Sequence, residues 1–205
     1  MPQKNTLKVY SPHTYYHVYS RGVNKQKIFM DASDQKYFIL LFERYLSDKK
    51  ATSKVGVVYP NHSKSIQLFT YCLMTNHIHL LLYQLEDPTA IRKFMSSLLT
   101  SYSKYFNYKY RRVGAVFESR YKAKSIDSDN YLIHISRYIH MNPRSWRTYH
   151  YSSLIYAFND PSPSWLHVNK VTEEFQSKEE YLEFLTDYQQ AKDMLEDVKH
   201  QLANE

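Results

Sequence analysis

The chain is poor in cysteine and has no long apolar run. Its 205 residues include a single cysteine, Cys72, which excludes an internal disulfide and a thiolate metal cluster and fits a reducing compartment. No stretch approaches the ~18 consecutive apolar residues that cross a bilayer, and residues 1–6 lack the apolar core of a secretory signal. The pattern predicts a cytoplasmic protein with no membrane partner.

Charge is distributed unevenly along the chain. Residues 100–147 contain ten Lys or Arg against three acidic residues, whereas residues 172–205 contain ten acidic residues against three Lys. The basic segment is also rich in aromatic residues, a combination typical of surfaces that bind single-stranded nucleic acid, because cations neutralise phosphates and rings stack on unpaired bases. Some of these rings, such as Tyr102 and Phe106, also fit the core stripe of a helix. The acidic segment either mimics DNA or serves solubility.

Apolar periodicity predicts a compact alternation of strands and helices. The order β-α-β-β-α-β-α contains the split βαβ, ferredoxin-like motif. We therefore predict an α+β fold in which an antiparallel sheet has helices on one face, followed by a further helix and a C-terminal helical appendage. Strand patterns cover residues 14–20, 65–74, 77–83 and part of 115–126, and helical patterns cover 31–49, 87–106 and 129–141.

These patterns also suggest domain boundaries. We predict an N-terminal extension over residues 1–13, one domain over 14–147, and an appendage with an acidic helical tail over 148–205. Asp127 or Ser128 would cap the helix that ends this domain.

Two histidines flank one apolar residue within the third strand pattern. Because strand side chains alternate between faces, His77 and His79 project from one face while Ile78 lines the other. A metal ion can bridge such a pair, although two hydrogen-bonded histidines on a half-buried strand give the same spacing.

A tyrosine and an asparagine share a face of the last helical pattern. Tyr138 and Asn142 are four residues apart. The tyrosine hydroxyl is a candidate nucleophile for a metal-bound phosphate, and the amide oxygen is a candidate third metal ligand. Taken singly, Tyr138 also fits a boundary aromatic and Asn142 a helix terminator before Pro143.

The segments that carry these residues resemble the REP-associated tyrosine transposases, which are single-tyrosine HUH endonucleases. The resembling segments are YHVYSRG at 16–22, YCLMTNHIHLLL at 71–82, YFNYKYRRVGAVFESRYKAKSID at 105–127, and YLIHISRYIHMNP at 131–143.

This resemblance implies His77 and His79 as metal ligands, Tyr138 as the nucleophile, and Asn142 at the position of the helix ligand. It further implies a metal-dependent endonuclease and strand transferase that acts on single-stranded or hairpin DNA with Mg²⁺ or Mn²⁺. The products would be a 5′-phosphotyrosine and a free 3′-OH, and the protein would be associated with the nucleoid.

The resemblance and the basic residues together give a set of expected DNA contacts. They are Arg21, Arg111, Arg112, Arg120, Lys122, Lys124 and Arg137.

Two other functions stay open: a domesticated, non-catalytic hairpin-binding protein, and a metal hydrolase that uses water and a carboxylate base. Whether the protein is a monomer or a homodimer also stays open.

Overall fold

A computed structural model describes residues 10–126, 129–158 and 162–187 of the chain. The first seven elements follow the predicted order β-α-β-β-α-β-α. Within the described ranges, no helix combines the length and the apolar character needed to cross a bilayer. The elements are β1 (Thr14–Arg21), α1 (Ala32–Leu46), β2 (Ile66–Met74), β3 (His77–Gln84), α2 (Ala90–Lys109), β4 (Lys122–Ile126), α3 (Asp129–Met141), α4 (Asn169–Thr172) and α5 (Lys178–Thr186).

The four strands form one antiparallel sheet in the order β2-β3-β1-β4. A two-residue turn, Thr75-Asn76, joins β2 to β3, as the sequence predicts. Strand β3 lies between β1 and β2, and β1 lies between β3 and β4, so each βαβ unit is split by a strand from the other. This topology confirms the predicted ferredoxin-like α+β fold.

The two faces of the sheet carry different side chains. Val18, Ile78 and Leu80 belong to the larger apolar core, which also contains the buried faces of α1 and α2. On the opposite face, Leu81 and Ile139 belong to a smaller cluster between the sheet and α3. Helix α3 therefore covers part of the face from which the paired histidines project.

Strand β4 lies within the segment 115–126 that the sequence predicts to contain it. The strand occupies residues 122–126, whereas Phe117 and Glu118 pair with the end of β1 and residues 119–121 separate these two pairings. The two-residue spacing of Arg120, Lys122 and Lys124 predicts that they share one strand face, but Arg120 lies outside the strand.

Two helix boundaries also shift, and some expectations lie beyond the described residues. Helix α1 ends at Leu46, and α2 begins at Ala90 with Thr89 as N-cap, while the Asp87 carboxylate accepts from the Thr89 amide. The caps expected at residues 127 and 128, residues 1–9 of the extension, and the tail beyond residue 187 lie outside the described ranges.

The segment after α3 packs onto the same core as the preceding domain. Leu166 forms a bridge with Leu68 of β2, and Ser152 forms a bridge with Cys72. Trp165 is buried in the larger core. The expected boundary at 147/148 therefore does not coincide with a break in packing.

A buried polar network links α3, α5 and β2. His140 on α3 lies 2.8 Å from the Tyr181 hydroxyl through Nδ1 and 2.8 Å from the Ser153 hydroxyl through Nε2. Ser153 Oγ also accepts from the backbone amide of Tyr71 at 2.9 Å. Since His140, Ser153 and Tyr181 are fully buried, the network ties α3 to the C-terminal segment without help from solvent.

Replacing Tyr181 with Phe should lower the free energy of unfolding by about 1–3 kcal/mol. The substitution keeps the ring but leaves His140 Nδ1 buried without its hydroxyl partner. Urea unfolding followed by circular dichroism measures the change. Tyr108→Phe is the matched control, because Tyr108 is 87% exposed and its loss of hydroxyl should change stability by less than ~0.5 kcal/mol. Equal effects of the two substitutions would contradict the role of the network.

Candidate metal and nucleophile site

Three imidazoles lie on the sheet face covered by α3. His79 pairs with Tyr19 and His77 with Arg21 in the antiparallel register of β1 and β3. His17 lies one alternation away on β1, and its Nε2 is 2.9 Å from His79 Nδ1. The two rings stack with centroids 5.1 Å apart, and both are buried. His79 is thereby held through Nδ1, which leaves Nε2 as its nitrogen for a further ligand.

His77 is held by one asparagine and faces another. Its Nδ1 lies 2.7 Å from Asn76 Oδ1, and its Nε2 lies 3.2 Å from Asn142 Oδ1. Burial lowers the pKa of His77, and the hydrogen bond with Asn142 raises it by less. The pKa is lowered overall, so the neutral ring is favoured. Both neighbours are amide oxygens, and a neutral ring can donate to only one of them. In the tautomer whose Nδ1–H donates to Asn76, the Nε2 lone pair points at the amide oxygen of Asn142. A cation between these two atoms would stabilise the contact.

Tyr138 extends from α3 to the same histidines. Its ring meets His79 and His17 edge-on, with centroid distances of 5.3 and 5.8 Å. Burial raises the pKa of Tyr138 to about 12, opposed by a hydrogen bond to Asn142 and by the charge of Arg21. The phenol is therefore protonated at neutral pH and needs further stabilisation of its anion to act as a nucleophile.

Two cationic side chains, Arg21 and Lys124, act on this site. Arg21 lowers the pKa of Tyr138, and it also contributes to the lowered pKa values of His77 and His79. Lys124, which pairs with His17 in the sheet, contributes to lowering the pKa of His17 to about 4, although burial is the larger cause. A phosphate group placed here would meet a positive potential.

The donor set fits a divalent cation. Within the described ranges, no group of three or more His, Cys, Asp or Glu side chains is arranged to hold a metal. The candidate set instead combines the imidazoles of His77 and His79 with the amide oxygen of Asn142. Neutral imidazoles and an amide oxygen suit Mn²⁺ and leave positions for substrate oxygens. Asn76 and His17 supply the outer hydrogen bonds that orient histidine ligands.

The structure separates the expected DNA contacts into several places. Arg21 lies at the site, and Lys122 and Lys124 lie on the same sheet face, with Lys122 5.7 Å above the Tyr19 ring. Arg120 is exposed and lines a different groove. Two more lie just beyond the C-terminal end of α2: Arg111, which is exposed, and Arg112, which packs against Phe106.

One expected DNA contact needs correction. Arg137 is 1% exposed, its guanidinium lies 3.6 Å from the centre of the Phe184 ring, and it donates to the Phe184 carbonyl. Because α5 covers this side chain, Arg137 holds α3 against the C-terminal segment and has no surface to offer DNA.

Sequence reasoning missed His17 as a site residue. The alternation of residues 14–21 places it on one face with Tyr19 and Arg21. That signal became informative only with the pairing of β1 and β3, which brings His17 beside His79. The available sequence signal was the spacing of His17 and Arg21, which lie four residues apart on one face of β1.

Comparison with known proteins identifies the family of this chain. The family model described as "Transposase IS200 like" matches residues 10–142, which include β1 to α3 and every candidate ligand. No curated protein matches the chain. A solved structure of a REP-associated tyrosine transposase bound to a REP hairpin has the same fold, with a TM-score of 0.52 and 12% identity over 76% of this chain and 85% of that chain. The chain belongs to the family of IS200-like transposases.

Proposed function

We propose that the protein is a metal-dependent single-stranded DNA endonuclease and strand transferase that acts on hairpin DNA through a covalent 5′-phosphotyrosine. Family membership supports transposase chemistry. The observation that carries the proposal is the contact of Tyr138 with His79 and the approach of Asn142 to His77. The candidate ligands on β3, His77 and His79, thus lie beside two groups of α3. These are the candidate nucleophile Tyr138 and the amide oxygen of Asn142.

The proposed reaction is an in-line attack on a phosphodiester. The Tyr138 phenol loses its proton and its oxygen forms a bond to phosphorus, while the bond from phosphorus to the 3′ oxygen breaks. The leaving oxygen takes up a proton and becomes a 3′-OH. Because the phosphotyrosine link keeps the energy of the phosphodiester, a 3′-OH can attack it and rejoin DNA without ATP.

The side chains divide this work between them. A divalent cation bound by His77, His79 and Asn142 would supply Lewis-acid polarisation of the scissile phosphate. Arg21 adds positive charge that stabilises both the phenolate and the negative charge on the phosphate oxygens. His17 accepts the Nδ1–H of His79 and so keeps the Nε2 lone pair available.

Two further observations support this choice of reaction and substrate. Arg21 acts on the pKa of His77, His79 and Tyr138, and among the described residues no carboxylate does, whereas a hydrolase with water as nucleophile needs a carboxylate base. A structurally similar transposase is bound to a REP hairpin, which favours hairpin DNA over an unstructured strand.

Tyr138→Phe should abolish a covalent protein–DNA adduct. Wild-type protein incubated with labelled hairpin DNA and Mn²⁺ should give a species that survives denaturing electrophoresis, because the phosphotyrosine bond is covalent. The variant keeps the ring contacts with the histidines but has no oxygen to attack phosphorus.

Tyr131→Phe is the matched control for the adduct assay. Tyr131 lies seven residues before Tyr138 on the same helix, and its ring stacks under Lys124 at 5.8 Å. This control should form the adduct at the wild-type level. Hairpin binding without any adduct in wild-type protein would favour a non-catalytic binding protein, and cleavage without an adduct would favour a hydrolase.

Mn²⁺ should bind more tightly than Mg²⁺, since imidazole ligands suit Mn²⁺ and Mg²⁺ prefers oxygen and retains its waters. Alanine at His77 or His79 should weaken Mn²⁺ binding on the order of 100-fold or more, as measured by titration calorimetry. Alanine at the exposed His150 is the control and should leave affinity unchanged. Equal or reversed affinities for the two ions would contradict the proposed ligand set.

His17→Ala should weaken Mn²⁺ binding by about 10–100-fold while His77 and His79 remain in place. The expected cause is loss of the hydrogen bond that orients the His79 ring. His17→Gln places an amide oxygen near the same position and should recover part of the affinity. Titration calorimetry measures both variants, and wild-type affinity in His17→Ala would show that the histidine contact has no role in orienting the ligand.

A further inference from the structure

A large groove lies on the side of the protein away from the candidate site. Its volume is about 1150 Å³, and it runs between α2 and the segment 115–121 that precedes β4. Helix α2 contributes to the core on the Ile78 face of the sheet, whereas His77 and His79 project from the other face. We call this cavity the α2 groove.

The α2 groove is cationic. Its lining contains four Lys or Arg and no Asp or Glu among the described residues. Arg92, Ser96, Thr100 and Lys104 follow one another at four-residue intervals, so they form one polar row along α2. Helix α2 contains no acidic residue in its 20 positions. Such a surface favours a ligand with several negative charges.

The floor of the groove is apolar and aromatic. Leu99, Val116 and Phe117 are buried there, and Tyr121 also lines the groove. Burial raises the pKa of the Tyr121 phenol, while the charges of Arg92 and Arg120 lower it by less. An apolar and aromatic floor under a cationic rim matches the two parts of a nucleotide, a flat base and its phosphate.

The segment 120–124 borders both the groove and the site face. Arg120 and Tyr121 line the groove and directly precede Lys122, and β4 is an edge strand of the sheet. Lys122 and Lys124 lie beside Tyr19 and His17 on the site face, one strand spacing of ~4.8 Å from β1. This short segment therefore places cations both at the groove and on the site face.

We infer that the α2 groove binds an unpaired nucleotide of the DNA substrate and its flanking phosphates. The inference rests on the proposed function, because it takes DNA as the ligand. The Arg92 and Lys104 side chains hold the phosphates, and the apolar floor holds the base. The groove thereby adds affinity at a distance from the reacting phosphate.

A double substitution, Arg92→Gln with Lys104→Gln, tests this role in the full chain. Hairpin affinity measured by fluorescence anisotropy should fall at least tenfold. The slope of log affinity against log salt concentration should decrease by about 1.4–1.8, because each lost phosphate contact removes ~0.7–0.9. The control is Lys36→Gln with Lys64→Gln, two exposed lysines outside the groove, and should leave the slope unchanged. An equal loss in both variants would overturn the inference.

Site-specific crosslinking gives a second measurement that does not depend on catalysis. A photoreactive benzoylphenylalanine at Ser96, in the polar row of the groove, should crosslink to labelled hairpin DNA, whereas the same group at Lys36 should not. Adduct formation at Tyr138 without this crosslink, and with an unchanged salt slope, would refute the groove alone. A crosslink without any Tyr138 adduct would refute the proposed reaction and leave the groove as a DNA-binding surface.

Discussion

The pairing of β1 with β3 is the constraint on which both the core and the candidate site depend. Alternation across these strands sends Val18, Ile78 and Leu80 to the larger core and leaves His17 and His79 on the other face. A shift in register by one residue would place imidazoles in the core and leucines at the site. The free energy of burying the apolar side chains therefore also fixes the relative positions of the histidines.

The second requirement is that α3 stays on the sheet, and the structure meets it with residues far along the chain. The family match ends at residue 142, yet His140 is held by Ser153 and Tyr181, and Arg137 is held by Phe184. The C-terminal segment thus forms part of the support for α3 and for Tyr138 on it. The sequence predicts this segment as an appendage, and its strongly acidic composition gives no signal for the buried contacts that it makes with α3.

Periodicity revealed those features that depend on one element, and it failed where two elements meet. The spacing of His77 and His79, and that of Tyr138 and Asn142, identified which residues share a face, because that property is local to a strand or a helix. The sequence carries no comparable signal for what covers a face. The sequence therefore predicts Arg137 as a DNA contact, whereas the structure packs its guanidinium against the ring of Phe184 on α5.

The turn between β2 and β3 does more than reverse the chain. Asn76 orients His77 through its Oδ1, donates to the Lys25 carbonyl, and accepts the Gly22 amide at its own carbonyl. Engineering for thermal stability would favour Asn-Gly at residues 75 and 76, the sequence best suited to a tight hairpin. Such a hairpin would favour the turn conformation more strongly, but it would lose the side-chain amide that orients the His77 ring. Stability and site geometry would thus change in opposite directions at this turn.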